Sequence, residues 1–254
     1  MITGYAKAYR VFGEEAFLNA AVTNANFLLK KAIAADGEMT RNYKNGRSSI
    51  NALLDDYAFT IAAFIELYQA TFDEKWLTEA NKITSYTLEH FFDASSGMFF
   101  YTHNQYADLI ARKMELSDNV IPSSNSEMAK NLFLLGHFLN KDEYISKAKQ
   151  MLINVEADVQ RNIYFYANWG MLQALFTSPL YEVAIMGDDF KNRRQQFDEH
   201  YLPTVILLGG KQAGSLALLH NKLIPGQTTI SVCRDKTCGL PATSVEQALG
   251  QIGK

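Results

Sequence analysis

The chain has 254 residues, of which 48% are hydrophobic, and a formal net charge of −3 from 24 Lys and Arg against 27 Asp and Glu. Without a long run of either charge, this composition argues against a nucleic-acid partner or an anionic membrane surface. No stretch approaches the ~20 apolar residues that span a bilayer, no signal peptide is recognisable, and two cysteines exclude a disulfide-rich secreted scaffold, so we expect a cytoplasmic protein.

Helical periodicity alternates between segments that are apolar nearly all round and segments that are apolar along one stripe. Residues 57–70 are typical of a buried inner helix, and residues 74–92 of an outer helix. The same pairing recurs at residues 2–11 with 14–34 and at residues 127–139 with 142–155. The outer helices share a loose repeat in which an acidic start precedes Phe17-Leu18, Trp76-Leu77 and Tyr144-Ile145. A further inner helix is predicted at residues 163–176, without an outer partner.

Long connections between the pairs mark one end of this bundle. Residues 35–56 and 93–124 alternate polar and apolar residues around turn signals such as Asn45-Gly46, which predicts small β-hairpins. Because consecutive helices alternate in direction, these connections and the starts of the inner helices lie at one end, where functional sites are common. The residues expected to share that face are Arg41, Tyr43, Asp55, Asp56, Tyr57, Tyr101, His103, Asp118, Ser123, Asn125 and Ser126.

The pattern changes after Pro179. Short apolar runs at 183–186 and 204–208 flank a polar helix at 190–200, which predicts a parallel strand–helix–strand unit. A third strand at 228–232 and a final helix at 244–252 complete it. The sequence thus predicts a mainly α chain, with a partial α/α toroid of helical hairpins over residues 1–180 and a small α/β segment over residues 181–254.

Carboxylates at the expected mouth have two interpretations. Asp55 and Asp56 precede a helix, where a carboxylate accepts hydrogen bonds from exposed N–H groups. Alternatively, one of them and Asp118 form a catalytic pair, since glycoside chemistry uses two carboxylates ~5 to 9 Å apart.

Serines near residue 124 have a similar pair of interpretations. Ser124 and Glu127 fit a capping box, which leaves Ser123, Asn125 and Ser126 as candidates to bind ligand hydroxyls. Arg41, Tyr57, Tyr101 and His103 complete the predicted substrate-binding set. His103 is the only histidine in a mouth loop, which weighs against a base-catalysed epimerase.

Cys233 and Cys238 are too far apart in sequence for a thioredoxin Cys-x-x-Cys motif and have no companion ligands for zinc. Two reduced, packed thiols are the first expectation. A reversible disulfide is the alternative, if residues 234–237 turn back on themselves.

Three motifs carry a resemblance to a known family: Leu54-Asp55-Asp56-Tyr57-Ala58-Phe59, Ile121-Pro122-Ser123-Ser124-Asn125-Ser126, and Cys233 to Cys238 with Pro241. They resemble the thioredoxin-domain-containing proteins related to the spermatogenesis-associated family. The resemblance implies a six-hairpin glycosidase-like toroid, similar to that of N-acylglucosamine epimerases, behind an N-terminal thioredoxin-like domain. Because this chain begins inside an inner helix, the resemblance implies that it is the C-terminal part only. It implies an architecture and no established reaction.

We therefore expect the intact protein to be carbohydrate-active on a sugar-like ligand, by binding, hydrolysis or isomerisation, without cofactor or metal. The alternative is a noncatalytic binding or redox-linked scaffold. Open toroid ends would expose Tyr5, Tyr9 and Phe12, so this chain alone is expected to be inactive, poorly stable and prone to form homo-oligomers.

Overall fold

The computed structural model of the protein describes residues 1–105, 111–212 and 214–253. Helical hairpins occupy its N-terminal part, and each consists of an inner helix, a short turn and an outer helix. They are α1 (Ile2–Phe12) with α2 (Glu15–Lys31), α3 (Leu54–Thr71) with α4 (Lys75–His90), and α5 (Ser124–Leu139) with α6 (Asp142–Arg161). These pairs match the predicted hairpins.

Inner and outer helices differ in how much of their circumference is buried. α3 buries residues on most sides, including Tyr57, Phe64 and Leu67, whereas α4 buries a stripe through Trp76 and Ile83. α1 packs on α3 and α3 packs on α5, so the inner helices form a continuous row. The predicted partial α/α toroid is confirmed.

The turn inside each hairpin uses one left-handed residue. α1, α3 and α5 end at Gly13 (φ 71°), Phe72 (φ 57°) and Asn140 (φ 53°), and the N–H of each donates back to the last helical turn. A left-handed residue at this position reverses the chain within two or three residues. Phe72 adopts this unfavourable conformation with its side chain buried in the core, where packing offsets the strain.

β-Hairpins fill the connections between the helical pairs, as predicted. β1 (Thr40–Lys44) and β2 (Arg47–Asn51) pair across Asn45-Gly46, where φ values of 52° and 79° make the two-residue turn expected for Asn-Gly. β3 (Phe92–Asp93) and β4 (Met98–Phe99) form a shorter hairpin. Residues 106–110 of the second connection lie outside the described residues.

The last inner helix starts later than predicted. Residues Ile163–Phe165 form a separate 3₁₀ turn, and α7 spans Ala167–Thr177. The break has a structural cause, because the Asn168 N–H donates to the Asp118 carboxylate at 2.8 Å and so has no partner in a preceding helical turn.

The C-terminal segment is a small sheet with helices. It comprises β5 (Tyr181–Met186), α8 (Phe190–Asp198), β6 (Val205–Gly210), β7 (Thr229–Arg234), β8 (Thr237–Cys238) and α9 (Val245–Leu249), with strand order β6-β5-β7-β8. β5 and β6 are parallel, as predicted for the strand–helix–strand unit. β7 and β8 run antiparallel to their neighbours, so the parallel description holds for the first two strands alone.

The two faces of this sheet bury against different layers. Ala184, Met186 and Leu208 belong to the same core as the toroid helices. Val183 and Ile185 face a second core with α8 and α9. Strand alternation accounts for both sets, since successive side chains point to opposite faces. The α/β segment therefore docks on the helical hairpins through a whole apolar face.

Buried ion pairs also connect the helical hairpins to the α/β segment. The Arg10 guanidinium donates to Glu66 and to Asp198, both at 2.8 Å, and Arg194 forms a second ion pair with Asp198. The Arg194 guanidinium also lies 5.0 Å from the centre of the Tyr9 ring. The predicted exposure of Tyr9 is therefore wrong, because α8 covers it.

In the part of the chain that the structure describes, no helix is long and apolar enough to cross a membrane.

We predict that Asp198→Asn destabilises the chain by about 2 kcal/mol, because it leaves two arginines without their shared carboxylate in a buried setting. Burial raises the pKa of Asp198 despite Arg10 and Arg194, so part of the loss is offset by relief of desolvation. Urea unfolding measures the change. Asp188→Asn is the matched control, since its side chain is 80% exposed and its loss is expected to stay within about 0.5 kcal/mol. Equal midpoints for the two variants would contradict the assignment.

We also predict self-association through apolar side chains at the two ends of the inner-helix row. Phe12 is 67% exposed at the end of α1, and Tyr164 and Met171 are 83% and 56% exposed beside α7. Exposed patches of this kind bind other apolar surfaces. Size-exclusion chromatography with light scattering is expected to show a dimer or larger species that the double variant Tyr164→Ser/Met171→Ser weakens. A concentration-independent monomer would refute the prediction.

Candidate functional site

The starts of α3, α5 and α7 are joined by the connection between α4 and α5. The Leu54 N–H donates to the Tyr101 carbonyl at 3.0 Å, and the Asp118 N–H donates to the Phe165 carbonyl at 2.7 Å. Asn125 at the start of α5 bonds the backbone of Phe99. These contacts bring the predicted mouth segments to one end of the bundle, which we call the mouth.

Asp118 occupies a buried position between two helices. One carboxylate oxygen accepts from the Ser123 N–H and the Ser126 hydroxyl, and the other accepts from the Asn168 N–H, all at 2.8 Å. The side chain thus satisfies exposed N–H groups at the starts of both α5 and α7. These bonds indicate a positioning role for Asp118, in place of the catalytic role predicted from sequence.

α5 begins at Ser124, three residues earlier than predicted, and its N-cap is one residue earlier than the capping-box pattern suggested. Ser123 is the N-cap, and its hydroxyl oxygen accepts from the Ser126 N–H at 3.1 Å. The predicted capping box of Ser124 and Glu127 is therefore wrong. Ser123 also donates to the Leu116 carbonyl at 3.0 Å. Ser123 and Ser126 are buried, so their predicted contact with ligand hydroxyls has no support in this arrangement.

Asn125, Tyr57 and His103 are likewise held inside the fold. The Asn125 amide bonds the Phe99 N–H, the Phe99 carbonyl and the Glu115 carbonyl at 2.8 to 3.0 Å. The Tyr57 hydroxyl accepts from the Met39 N–H. His103 lies 3.0 Å from the Tyr86 hydroxyl through one nitrogen and accepts from the Gln105 N–H through the other. These contacts favour structural roles over the predicted substrate-binding roles.

The remaining predicted residues form a polar group at the start of α3. Asp56 accepts from the Leu53 N–H at 2.9 Å and lies 3.4 Å from the Arg41 guanidinium. Asp55 hydrogen-bonds the Tyr101 hydroxyl. All four side chains keep contact with solvent. Asp56 therefore fits both interpretations from the sequence. Its carboxylate accepts a hydrogen bond at the helix start, and the side chain also stays accessible to solvent.

Burial shifts the pKa values in this group. It raises the pKa of Asp56, against the Leu53 N–H and Arg41, which favour the charged form. The pKa of Tyr101 is raised to about 12, first by burial and then by the charge of Asp55. Asp56 therefore holds its proton more strongly than an ordinary aspartate, as a proton donor must.

A cavity of about 520 Å³ lies between α1, α2, α3 and α5. Its wall includes Phe59 and Ala62 on α3, Lys7 on α1, and Glu127 and Lys130 on α5. Asp55 and Phe59 are four residues apart, so they lie on one side of α3. Asp55 is thus one helical turn before the cavity wall and is not itself a lining residue. The cavity has a volume suited to a small ligand.

Two polar residues on the cavity wall, Glu127 and Lys130, belong to a hydrogen-bond network that sequence reasoning missed. Lys130 Nζ lies 2.7 Å from Glu127 Oε2 and 3.0 Å from Asn168 Oδ1. Asn168 Nδ2 donates to Glu127 and to Ser126. A signal was present, because Glu127 and Lys130 are charges three residues apart on a helix that is otherwise buried. Their side chains are only 6% and 19% exposed.

The two cysteines lie away from the mouth. Cys233 in β7 and Cys238 in β8 are joined by a disulfide, with Cα atoms 3.9 Å apart. The expectation of two reduced thiols is therefore wrong, and the disulfide alternative holds because residues 234–237 form a hairpin turn. Within the described ranges, no group of three or more His, Cys, Asp or Glu side chains is arranged to hold a metal ion.

Paired inner and outer helices, with accessible carboxylates where an inner helix begins, define a glycosidase-type α/α toroid. Residues 9–135, half of the chain, match the family model described as glycosyl hydrolase family 76, and the chain belongs to that family.

Longer relatives extend this likeness. Spermatogenesis-associated protein 20 of Homo sapiens is 25% identical over 96% of this chain and 34% of its own length. An uncharacterized protein of Caenorhabditis elegans is 30% identical over 59% of this chain and 21% of its own length. The chain thus spans about a third of the human relative. The predicted resemblance is confirmed, while the thioredoxin-like domain stays a prediction.

Among solved structures, a GH76 alpha-mannanase from Bacteroides thetaiotaomicron superposes with a TM-score of 0.50 at 18% identity. The match covers 69% of this chain and 49% of the mannanase. This similarity concerns the fold.

We predict that Asp118→Asn lowers the free energy of unfolding by about 2 kcal/mol, because the new amide group meets N–H donors where an oxygen accepted their bonds. Urea unfolding measures the loss, and hydrogen exchange locates it at the Ser123 and Asn168 amides. Asp188→Asn is again the exposed control. Unchanged exchange at both amides would show that Asp118 does not hold the two helix starts.

Proposed function

We propose that the mouth and its cavity bind a carbohydrate and that the intact protein hydrolyses a glycosidic bond there. The observation that carries this proposal is the accessible pair Asp55 and Asp56, which begins inner helix α3 one turn before Phe59 on the cavity wall. Membership of glycosyl hydrolase family 76 supports the same chemistry. The chain spans about a third of the length of its human relative. We therefore propose the reaction for the natural full-length protein.

Each carboxylate has a role that its surroundings favour. Burial raises the pKa of Asp56, which suits a general acid that protonates the departing sugar oxygen. Asp55, hydrogen-bonded to Tyr101, is the candidate to accept a proton from water or to stabilise positive charge on the sugar. This assignment replaces the pairing with Asp118, whose two oxygens already accept hydrogen bonds from helix starts.

The wall network supplies groups that recognise hydroxyls. Glu127 and Lys130 line the cavity with an acceptor and a donor, and the buried Asn168 amide holds both from the start of α7. Phe59 gives the cavity an aromatic surface, of the kind on which sugar rings pack. This mixture of charged, amide and aromatic groups suits a polyhydroxylated ligand better than an apolar one.

Hydrolysis is favoured over isomerisation by the positions of the histidines. His103 is buried at 1% exposure, and burial lowers its pKa. His137 lies in the last turn of α5, at the end opposite the mouth. An isomerase that moves protons at carbon needs a positioned base near the sugar, whereas hydrolysis uses carboxylates such as the accessible Asp55 and Asp56.

The test uses the natural full-length protein with α-mannosides first, a choice supported by the structurally similar mannanase. Thermal-shift measurements with a panel of mono- and oligosaccharides report binding, and release of reducing ends reports hydrolysis. Binding without hydrolysis would favour the noncatalytic scaffold. A protein that neither binds nor cleaves any sugar of the panel would remove the proposal.

We predict that Asp55→Asn lowers the hydrolytic rate by at least about 100-fold while sugar binding persists, because the amide cannot accept a proton. Glu127→Gln is expected to weaken binding instead, since it alters the wall. Asp188→Asn, remote and exposed, serves as the control for each assay. Full activity in Asp55→Asn would exclude this residue from catalysis.

A further inference from the structure

The disulfide in the α/β segment joins sulfurs in two different environments. Cys233 lies on β7 and is 1% exposed, whereas Cys238 lies on the edge strand β8 and is exposed. The two residues are directly paired in the strand register. An external thiol can therefore reach the Cys238 sulfur and is kept from the Cys233 sulfur.

Two charged residues lie close to Cys233. Lys222 Nζ lies 3.0 Å from Cys233 Sγ. Glu182 is the residue paired with Cys233 on β5, and its carboxylate lies 3.5 Å from His137 Nδ1. A cation in contact with a sulfur stabilises its thiolate form. The negative charge of Glu182 disfavours a thiolate at Cys233. Lys222, whose ammonium group contacts the sulfur, is therefore the residue that we expect to stabilise that thiolate.

We propose that Cys233–Cys238 is an exchangeable disulfide that reacts with low-molecular-weight or protein thiols. A thiolate attacks Cys238 Sγ, a new sulfur–sulfur bond forms there, and the Cys233–Cys238 bond breaks. The electron pair of the broken bond leaves on Cys233 Sγ as a thiolate beside Lys222. A second external thiol then resolves the mixed disulfide, so that two external thiols are oxidised to one disulfide and the protein gains two thiols.

The location separates this chemistry from the carbohydrate site. Glu182 contacts His137 in the last turn of α5, and the cavity residues Glu127 and Lys130 lie in its first turns. The hairpin tip touches the start of α6, where Lys236 Nζ lies 3.7 Å from Asp142 Oδ1. The proposal therefore stands whether or not the mouth binds sugar.

The experiment incubates the chain in glutathione buffers without denaturant and counts thiols by alkylation and intact mass. We expect reduction in the folded state, slowed about tenfold in Lys222→Met because the leaving thiolate loses its cation. Lys222→Arg keeps the charge and is expected to restore most of the rate. Lys236→Met is the matched control in the same hairpin, with an exposed lysine whose loss leaves the rate unchanged.

Single-cysteine variants test the order of attack. Cys233→Ser is expected to form a mixed disulfide with glutathione at Cys238, and Cys238→Ser is expected to leave Cys233 unmodified in the folded chain. Circular dichroism checks that each variant is folded. Reduction only in denaturant, equal rates for Lys222→Met and Lys236→Met, or modification of Cys233 alone would each overturn the proposal.

Discussion

The hydrogen bonds of one buried carboxylate hold the mouth of this toroid together. Asp118 accepts from Ser123 and Ser126 at the start of α5 and from Asn168 at the start of α7. Helix starts carry N–H groups without internal partners, so a carboxylate between two of them satisfies both and sets their spacing. With α7 placed in this way, Asn168 hydrogen-bonds Glu127 and Lys130, which line the cavity. The polar surface that could receive a ligand therefore depends on a residue that does not itself face the cavity.

A second constraint joins the sheet to the helices. One face of β5 and β6 enters the toroid core, and Arg10, Glu66, Asp198 and Arg194 link α1, α3 and α8 through buried ion pairs. Gln69 on α3 also accepts from the Leu207 N–H of β6 at 3.2 Å. Apolar burial supplies most of the stabilisation of such a contact, and the paired charges restrict the docking geometry, since an unpaired buried charge is costly.

The two proposed sites lie at opposite ends of the inner helices. Asp55 and Asp56 lie at the mouth, and at the opposite end of α5 His137 contacts Glu182, the strand partner of Cys233. In both places, burial and neighbouring charges influence the charge state that a reactive side chain adopts. At Asp56 burial raises the pKa, and at the disulfide Lys222 Nζ lies 3.0 Å from Cys233 Sγ.

The sequence by itself determined the helical hairpins, their turns, the parallel β5–α8–β6 unit and the end of the bundle that collects polar loops. Apolar periodicity, Asn-Gly turns and strand alternation are local signals, and a linear pattern can carry them. Only the tertiary structure decided which polar residues are accessible. Asp55 and Asp118 look alike as aspartates before helices, yet Asp118 lies between two helix starts, and its partner Asn168 is 50 residues further along the chain. Lys222 reaches Cys233 only after the sheet has formed. Hydrogen-bond partners and burial depend on contacts between distant segments, and no local pattern records them.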